Sequence, residues 1–154
     1  MIKIQKKNFN LEEEIEKIKI KHSDIGALTT FVGYVRDLNN NKDVKYLNLE
    51  VYEEMAFKEL SKIENNATKK WSLIDTLIIH RYGKLIVNEK IVLVCCFSQH
   101  RKNCFEACEY IMDYLKKHFL QDVLRFAVNQ EYVSENLNLK PIDEIAIFPQ
   151  VSGG

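Results

Sequence analysis

Apolar residues recur along this chain with two periods, and the elements they predict alternate between strand and helix. A short strand, "MIKIQ", precedes a helix in "NLEEEIEKIKIK", where Asn10 can cap the first turn and Glu13 can close a capping box. The run "IGALTTFVGYV" predicts a second strand. After the Asn-rich turn "RDLNNNKD", the run "VKYLNLEVYE" shows the period of two of a half-buried strand.

The second half of the chain continues this pattern. Helical spacing extends from Glu53 to about Trp71, and the strands "LIDTLIIHRYG" and "KIVLVCCFS" follow. The second of these is almost continuously apolar, which predicts a central strand covered on both faces. From about Asn103 to Phe119 an apolar stripe of helical period includes Phe105, Cys108, Met112 and Leu115. Two more strands, "VLRFAVN" and "DEIAIFP", flank a polar loop around "SENLNLKP", so we expect an α+β chain with a separate C-terminal module.

Composition limits the classes of protein that fit this pattern. The chain has 154 residues, 46% of them hydrophobic, which suits one domain with a core and an appendage. Its formal net charge of zero argues against a nucleic-acid or membrane-surface binder, although residues 1–119 carry a net +3 and residues 120–154 a net −3. No apolar run approaches the roughly 18 residues of a membrane span, and "MIKIQKKNFN" lacks the apolar core of a signal peptide. We therefore expect a cytoplasmic protein.

Four cysteines agree with a reducing compartment. Cys95 and Cys96 are adjacent in a strand, and Cys104 and Cys108 are one helical turn apart. None has C-x-x-C spacing, which favours buried thiols over the alternative of metal ligation, and we predict no metal site.

The segment "SQHRKN" is the first candidate for chemistry. It places His100, Arg101 and Lys102 at the start of a helix, where free backbone amides favour an anion and arginine suits a phosphate. The alternative is a solvated charge cluster in a loop.

Two further basic residues are candidates on weaker grounds. Arg36 follows the strand "FVGYV", in which Gly33 permits a close backbone approach, but it could equally be a surface arginine of a turn. Lys116 lies off the apolar stripe of the last helix, where a lysine also suits the helix dipole. We interpret the pair His80 and Arg81 as a structural feature of a strand end.

Four motifs together resemble one known family. The stretches "GALTTFVGYVRD", "LEVYEEMA", "LIIHRYGKL" and "SQHRKNCFEACEYIMDYLKK" are similar, in order and spacing, to the large catalytic subunit of molybdopterin synthase over residues 1–119. Residues 124–154, "LRFAVNQEYVSENLNLKPIDEIAIFPQVSGG", resemble the end of that enzyme's small, ubiquitin-like sulfur carrier. The resemblance implies two domains, 1–119 and 120–154, with a mixed or antiparallel sheet and helices in the first. The second is expected to be a truncated two-strand ubiquitin-like fragment ending in Gly-Gly.

The resemblance implies sulfur transfer from a C-terminal thiocarboxylate to cyclic pyranopterin monophosphate, which gives molybdopterin. Gly154 would carry the sulfur, and Lys116 would be the catalytic lysine. The substrate-binding set it implies consists of Tyr34, Val35, Arg36, His100 and Arg101. No metal or organic cofactor is needed, because the sulfur arrives on the protein. The implied partners are a second copy of the chain, a sulfur-carrier subunit and its adenylating enzyme.

The sequence also departs from the family pattern. The large subunit normally continues past its helix through a segment with a second active-site lysine, and "HFLQDVLRF" replaces that segment here. We therefore expect impaired turnover. The alternatives are a non-catalytic protein that binds the phosphate ligand or a partner, with the tail as a plug or docking peptide, and a plain α+β anion-binding domain.

Overall fold

Two sheets and three helices make up the structure, a computed structural model that describes residues 1–36, 46–119, 125–128, 131–133 and 145–148. The helices are α1 (Leu11–Lys19), α2 (Glu53–Trp71) and α3 (Arg101–Tyr114), and a π-helical turn, Leu115–Phe119, extends α3. The strands are β1 (Ile2–Gln5), β2 (Ala27–Tyr34), β3 (Tyr46–Leu49), β4 (Asp75–Arg81), β5 (Gly83–Ile86), β6 (Lys90–Ser98), β7 (Arg125–Val128), β8 (Glu131–Val133) and β9 (Ile145–Phe148). The predicted Asn-rich turn and the terminal glycines lie outside the described residues.

The main sheet has the order β1-β4-β6-β2 and carries helices on both faces. Strand β1 is parallel to β4, whereas β6 is antiparallel to both β4 and β2. Helix α1 covers one face, where Ile18 packs near Leu93, and α2 and α3 cover the other, where Leu60 and Ile111 are fully buried. Strand β6 lies inside this arrangement, and all of its residues from Val92 to Ser98 are buried, which confirms the prediction of a central strand.

The second sheet has the order β5-β3-β9-β7-β8 and joins two strands from the middle of the sequence to three C-terminal strands. Strand β3 is antiparallel to β5 on one side and parallel to β9 on the other. The C-terminal strands thus continue a sheet that begins in the body. The sequence predicted two strands in this tail, and the structure adds β8, which pairs with β7 as a hairpin.

Strand β5 was also missed by the sequence analysis, and the reason is a change of direction at Gly83. This glycine has a φ of 82°, in the left-handed region that residues with a Cβ rarely adopt. The chain therefore leaves the main sheet after Arg81 and enters the second sheet as β5, opposite β3.

The helices lie where the sequence pattern predicts them, but one residue that was predicted to be in the core is exposed. Asn10 caps α1, since its Oδ1 accepts from the amides of Glu12 and Glu13 at 3.0 and 3.4 Å. The Glu13 carboxylate accepts from the side-chain amide of Asn10 and not from its backbone, so the predicted capping box is only half formed. In α3 the prediction that Phe105 faces the core was wrong, because Phe105 is 61% exposed and Cys104 and Ala107 are buried in its place.

None of the helices described is long and apolar enough to cross a membrane.

Candidate functional site

A cleft of about 500 Å³ opens where β6 ends and α3 begins. Its lining consists of Gly26, Ala27, Gln99, His100, Arg101 and Lys102, and we call it the anion cleft. The segment predicted from the sequence, "SQHRKN", therefore does form one wall of a cavity. The opposite wall comes from the start of β2, which the sequence analysis did not assign to the site.

Gly26 sets the shape of this cleft. A Cβ atom at this position would lie 2.4 Å from the carbonyl oxygen of Gln99, a distance that no side chain tolerates. The Gly26 amide also donates to the carbonyl of Ser98 at 3.1 Å. The two walls of the cleft are thus held together through a contact that only glycine permits.

The cleft is electropositive for two reasons. The first turn of α3 presents amides that the helix itself cannot satisfy, and this helix end carries no acidic residue. The basic side chains differ in their freedom: Lys102 is paired with Glu106 at 3.7 Å, whereas within the described ranges neither His100 nor Arg101 forms an ion pair. Arg101 is exposed at the first position of the helix and can turn its guanidinium towards an anion in the cleft.

The other predicted residues lie at a different place. Arg36 follows β2 at the end where Tyr34 pairs with Lys90. Lys116 follows α3, which begins at the other end of these strands and packs along β2 and β6, so we place both residues at one end of the main sheet. Both side chains are exposed, and Tyr34 beside them is 55% exposed. We call this group, Tyr34, Arg36 and Lys116, the Arg36–Lys116 end.

Val35 is buried, whereas its neighbours Tyr34 and Arg36 are exposed. Its side chain is only 4% exposed, its amide donates to the Glu89 carbonyl, and its own carbonyl accepts from the Asn88 amide, each at 2.8 Å. Its side chain and both backbone groups are therefore occupied in the fold. Val35 thus has a packing role in the fold, and the substrate contact that the resemblance implied stays a prediction.

Within one molecule, the anion cleft and the Arg36–Lys116 end lie at opposite ends of strand β2. Ala27 pairs with Ser98 beside the cleft, while Tyr34 pairs with Lys90 at the far end of the same two strands. Seven residue steps along β2 correspond to about 23 Å. Helix α3 starts at the cleft and returns along the sheet, which carries Lys116 away from it.

Two buried basic residues prove to be structural, as the sequence suggested. Arg81 is 5% exposed, and its guanidinium donates to the carbonyls of Lys6 and Lys90 at 2.7 to 3.2 Å. Burial lowers the pKa of neighbouring His80 from 6.5 to about 4, so this imidazole is neutral at physiological pH.

The four cysteines are free and buried, which confirms the prediction of buried thiols. Burial raises the pKa of the Cys95 thiol to about 11, and it also raises the pKa of Cys104. Cys96 and Cys108 face each other, and the hydrogen bond between them lowers the pKa of Cys108. In the described part of the chain, no group of three or more His, Cys, Asp or Glu side chains is arranged to hold a metal ion.

Gly154, the predicted sulfur carrier, lies outside the described residues, but the strand that precedes it is described. Because β9 is parallel to β3, it runs towards the end of β3 from which α2 departs. Glu59 in the first half of α2 accepts from the Tyr114 hydroxyl at 2.7 Å, at the end of α3. Strand β9 therefore points to the side of the molecule on which Lys116 lies.

Comparison with known proteins covers most of the chain. The family model described as MoaE protein matches residues 4–118. The molybdopterin synthase catalytic subunit of Ralstonia nicotianae is 45% identical over 115 residues, which are 75% of this chain and 65% of that protein. The corresponding protein of Pseudomonas aeruginosa is 42% identical over 115 residues, with 75% and 77% covered. The chain thus spans just under two thirds of the first relative and about three quarters of the second.

Solved structures agree with the sequence comparison. The molybdopterin biosynthesis MoaE protein of Burkholderia ambifaria superimposes with a TM-score of 0.71 at 41% identity, over 77% of each chain.

A second family model, the ThiS family, matches residues 99–154. This match begins earlier than the carrier resemblance noted in the sequence, and the two family matches overlap in residues 99–118, which contain α3. The helix that supplies one wall of the anion cleft thus also fits the sequence pattern of the carrier. From the match to residues 4–118 and the relatives above, the chain belongs to the MoaE protein family and carries a C-terminal segment similar to the ThiS family.

Proposed function

We propose that the chain acts in molybdenum cofactor biosynthesis and transfers sulfur from a thiocarboxylate at Gly154 to cyclic pyranopterin monophosphate, giving molybdopterin. The observation that supports the proposal is the anion cleft, which offers Arg101 and the free amides of α3 as donors suited to a phosphate, within a chain of the MoaE family. The ThiS-like segment supports the source of the sulfur, because it ends in the glycines of the tail.

In this proposal the substrate site is assembled from two chains. The phosphate would bind in the anion cleft with His100 and Arg101, whereas Arg36 and Lys116 are about 23 Å away along β2. That distance exceeds the length of a tricyclic pterin with one phosphate. A second copy of the chain solves the problem if it places its own Arg36–Lys116 end against the cleft.

Strand β2 is the surface best suited to bring the copies together. It is an edge of the main sheet, and three of its exposed side chains, Leu28, Phe31 and Tyr34, are large and apolar or aromatic. An unpaired edge of this kind favours association with another strand. Two β2 strands related by a two-fold axis would run antiparallel, so the Ala27 end of each copy would meet the Tyr34 end of the other. Each dimer would then contain two complete sites.

In such a site the residues have separate roles. Arg101 and the α3 amides hold the phosphate, and His100 and the partner's Arg36 position the pterin. Lys116 assists as the thiocarboxylate sulfur bonds to a substrate carbon and an oxygen substituent of that carbon leaves, taking a proton from the lysine ammonium. Water then hydrolyses the resulting thioester, which leaves the sulfur on the substrate and releases Gly154 as a carboxylate. Two such transfers complete one molybdopterin. The adenylating enzyme would be needed to reload the glycine.

A second candidate function is supported by the pairing of β9 with β3. The tail would then be a docking strand on a chain that binds the phosphate ligand without turnover, which fits the absence of the family's second lysine segment between α3 and β7.

The test is sulfur transfer by the full chain with Gly154 converted to a thiocarboxylate. Mixed with cyclic pyranopterin monophosphate, the chain should yield no more than one molybdopterin per two thiocarboxylates. Lys116→Ala should lower the rate by about two to four orders of magnitude, and Lys117→Ala, its exposed neighbour, should lower it by less than about threefold. Substrate binding without product in the unmodified sequence would favour the second candidate, and an absence of both would refute the two together.

A further inference from the structure

Both edges of β3 are occupied by strands of the same chain. Strand β5 pairs antiparallel with one edge, through Tyr46 to Leu49. Strand β9 pairs parallel with the other, with Asn48 opposite Ala146 and Leu49 opposite Ile147. The second pairing joins the MoaE-like body to the ThiS-like segment, because β9 lies beyond residue 118 and inside the ThiS match.

Strand β9 is hydrogen-bonded to a second strand on the side away from β3. Strand β9 is also antiparallel to β7, over the four residues from Ile145 to Phe148, and β7 in turn pairs with β8. The carrier-like strands therefore form a three-stranded unit that is attached to the body along one edge. A strand hydrogen-bonded on both sides is held more firmly than a terminal segment that packs through side chains alone.

The direction of β9 determines where the following residues can reach. Strand β3 leads into α2, whose first residue, Glu53, accepts a hydrogen bond from Tyr82 at the Arg36–Lys116 end of the molecule. Because β9 is parallel to β3, its last residue, Phe148, is on the same side. The six residues from 149 to 154 can span at most about 20 Å when extended. That length is less than the roughly 23 Å between the two ends of β2, so we expect the tail to serve the end towards which β9 runs.

We propose that the ThiS-like segment is docked in cis on the β3 edge, that it serves the Lys116 of its own chain, and that it excludes a separate carrier protein from this edge. The cis delivery rests on the proposed sulfur transfer, whereas the docking does not. The exclusion follows because a free ThiS-family carrier would present an equivalent strand to an edge that β9 already fills. Attachment raises the local concentration of the tail to the millimolar range, which a free carrier rarely matches.

A permanently attached donor has a different cycle from an exchangeable one. Each transfer replaces one carbon–oxygen bond of the substrate by a carbon–sulfur bond and consumes one thiocarboxylate, because water cleaves the acyl–sulfur bond and leaves Gly154 as a carboxylate. A separate carrier can then leave and be replaced, but an attached tail has to be reloaded in place. The second sulfur of each product would therefore wait for reloading or for transfer of the intermediate to another loaded site.

Disulfide trapping tests the docking without any measurement of activity. In the variant Asn48→Cys/Ala146→Cys, the two Cα atoms belong to neighbouring strands and should be about 4.8 Å apart, within the range of a disulfide. Mild oxidation should give a cross-link inside one chain, seen as a loss of about two mass units and faster migration on a non-reducing gel. The four native cysteines are buried and do not compete. The control Asn48→Cys/Ile145→Cys shifts the second thiol to the opposite face of β9 and should cross-link at least tenfold more slowly.

Mixing the two single variants distinguishes cis from trans docking. Asn48→Cys and Ala146→Cys chains, unfolded together, refolded and oxidised, should give no disulfide-linked dimer. A linked dimer would show that the tail docks on another chain, and a failure of the double variant to cross-link would show that β9 is not on the β3 edge. Either result overturns the proposal, even if sulfur transfer is established.

Exclusion of a separate carrier from the β3 edge is measured by titrating a full-length ThiS-family carrier protein into the chain. Ala146→Pro should release the edge, because proline removes an amide from a strand that pairs on both sides. We expect the carrier to bind this variant at least tenfold more tightly than it binds the unmodified chain. Equal affinities would refute the exclusion.

Discussion

A site shared between two copies of the chain makes a sharp prediction about mixed dimers. In the proposed dimer, every site takes Lys116 from one copy and Arg101 from the other. Lys116→Ala and Arg101→Ala should therefore each damage both sites of their own homodimer. In a mixed dimer, both defects fall on one site and the other site is intact. Activity should therefore return when two inactive proteins are combined.

The size of the recovery follows from the geometry. Within one chain the two residues are separated by about the length of β2, roughly 23 Å, so the proposed site requires residues of both chains. If chains assort at random, half of the dimers are mixed and each has one working site of two, which gives about a quarter of the unmodified activity. Each parent variant alone should retain less than about 1%.

The assay is single-turnover molybdopterin formation by thiocarboxylated chains that were co-refolded at equal ratio, with dimer formation verified by sedimentation. The matched control combines Lys116→Ala with Arg36→Ala. Both residues belong to the Arg36–Lys116 end, so each site of a mixed dimer keeps one defect and no recovery is expected. Recovery in this control, or none with Arg101→Ala despite verified mixed dimers, would refute the shared site.

Three further predictions concern single residues. Gly26→Ala should lower the free energy of unfolding by about 2 kcal/mol and weaken phosphate binding, because the added Cβ would lie 2.4 Å from the Gln99 carbonyl oxygen. Denaturant titration measures this loss, and unchanged stability would contradict the steric reason. The pKa of buried His80, lowered to about 4, makes stability fall by up to about 3 kcal/mol as the pH drops from 6.5 to 4, because only the unfolded chain is readily protonated there. His80→Gln should remove that part of the pH dependence, and a slope identical to that of the unmodified chain would argue against it. Ile111→Ala should lower the free energy of unfolding by about 3 kcal/mol and Phe105→Ala by less than about 1 kcal/mol, because Ile111 is fully buried and Phe105 is exposed. Thermal unfolding measures both variants, and the reverse order would support the apolar stripe predicted from the sequence.

The elements of the main sheet could be predicted because each carries a periodic pattern of its own. The run of buried residues in β6 and the cap at Asn10 are local features, and the structure agrees with both. Phe105 shows the limit of this reasoning. Its spacing fits the apolar stripe, but the helix turns Cys104 and Ala107 inwards, where small side chains allow α3 to lie close to the sheet.

The candidate site was predictable in its residues and not in its arrangement. The sequence identified Arg36, His100, Arg101 and Lys116 as basic residues at the ends of elements, a property visible from local context. Their division into two groups depends on the antiparallel register of β2 and β6, which no single segment encodes. Gly26 was missed for the same reason, since its partner Gln99 is distant in sequence.

The parallel pairing of β3 with β9 also has a consequence for synthesis of the protein. The strands of the main sheet are all present once residue 98 has left the ribosome, so that sheet can form while the chain is still growing. Strand β3 can pair with β5 early, but its second partner is about 100 residues further along the sequence. Until β9 emerges, one edge of β3 is open to pairing with other nascent chains, and the interval between these two events is the period in which misassembly is most likely to occur.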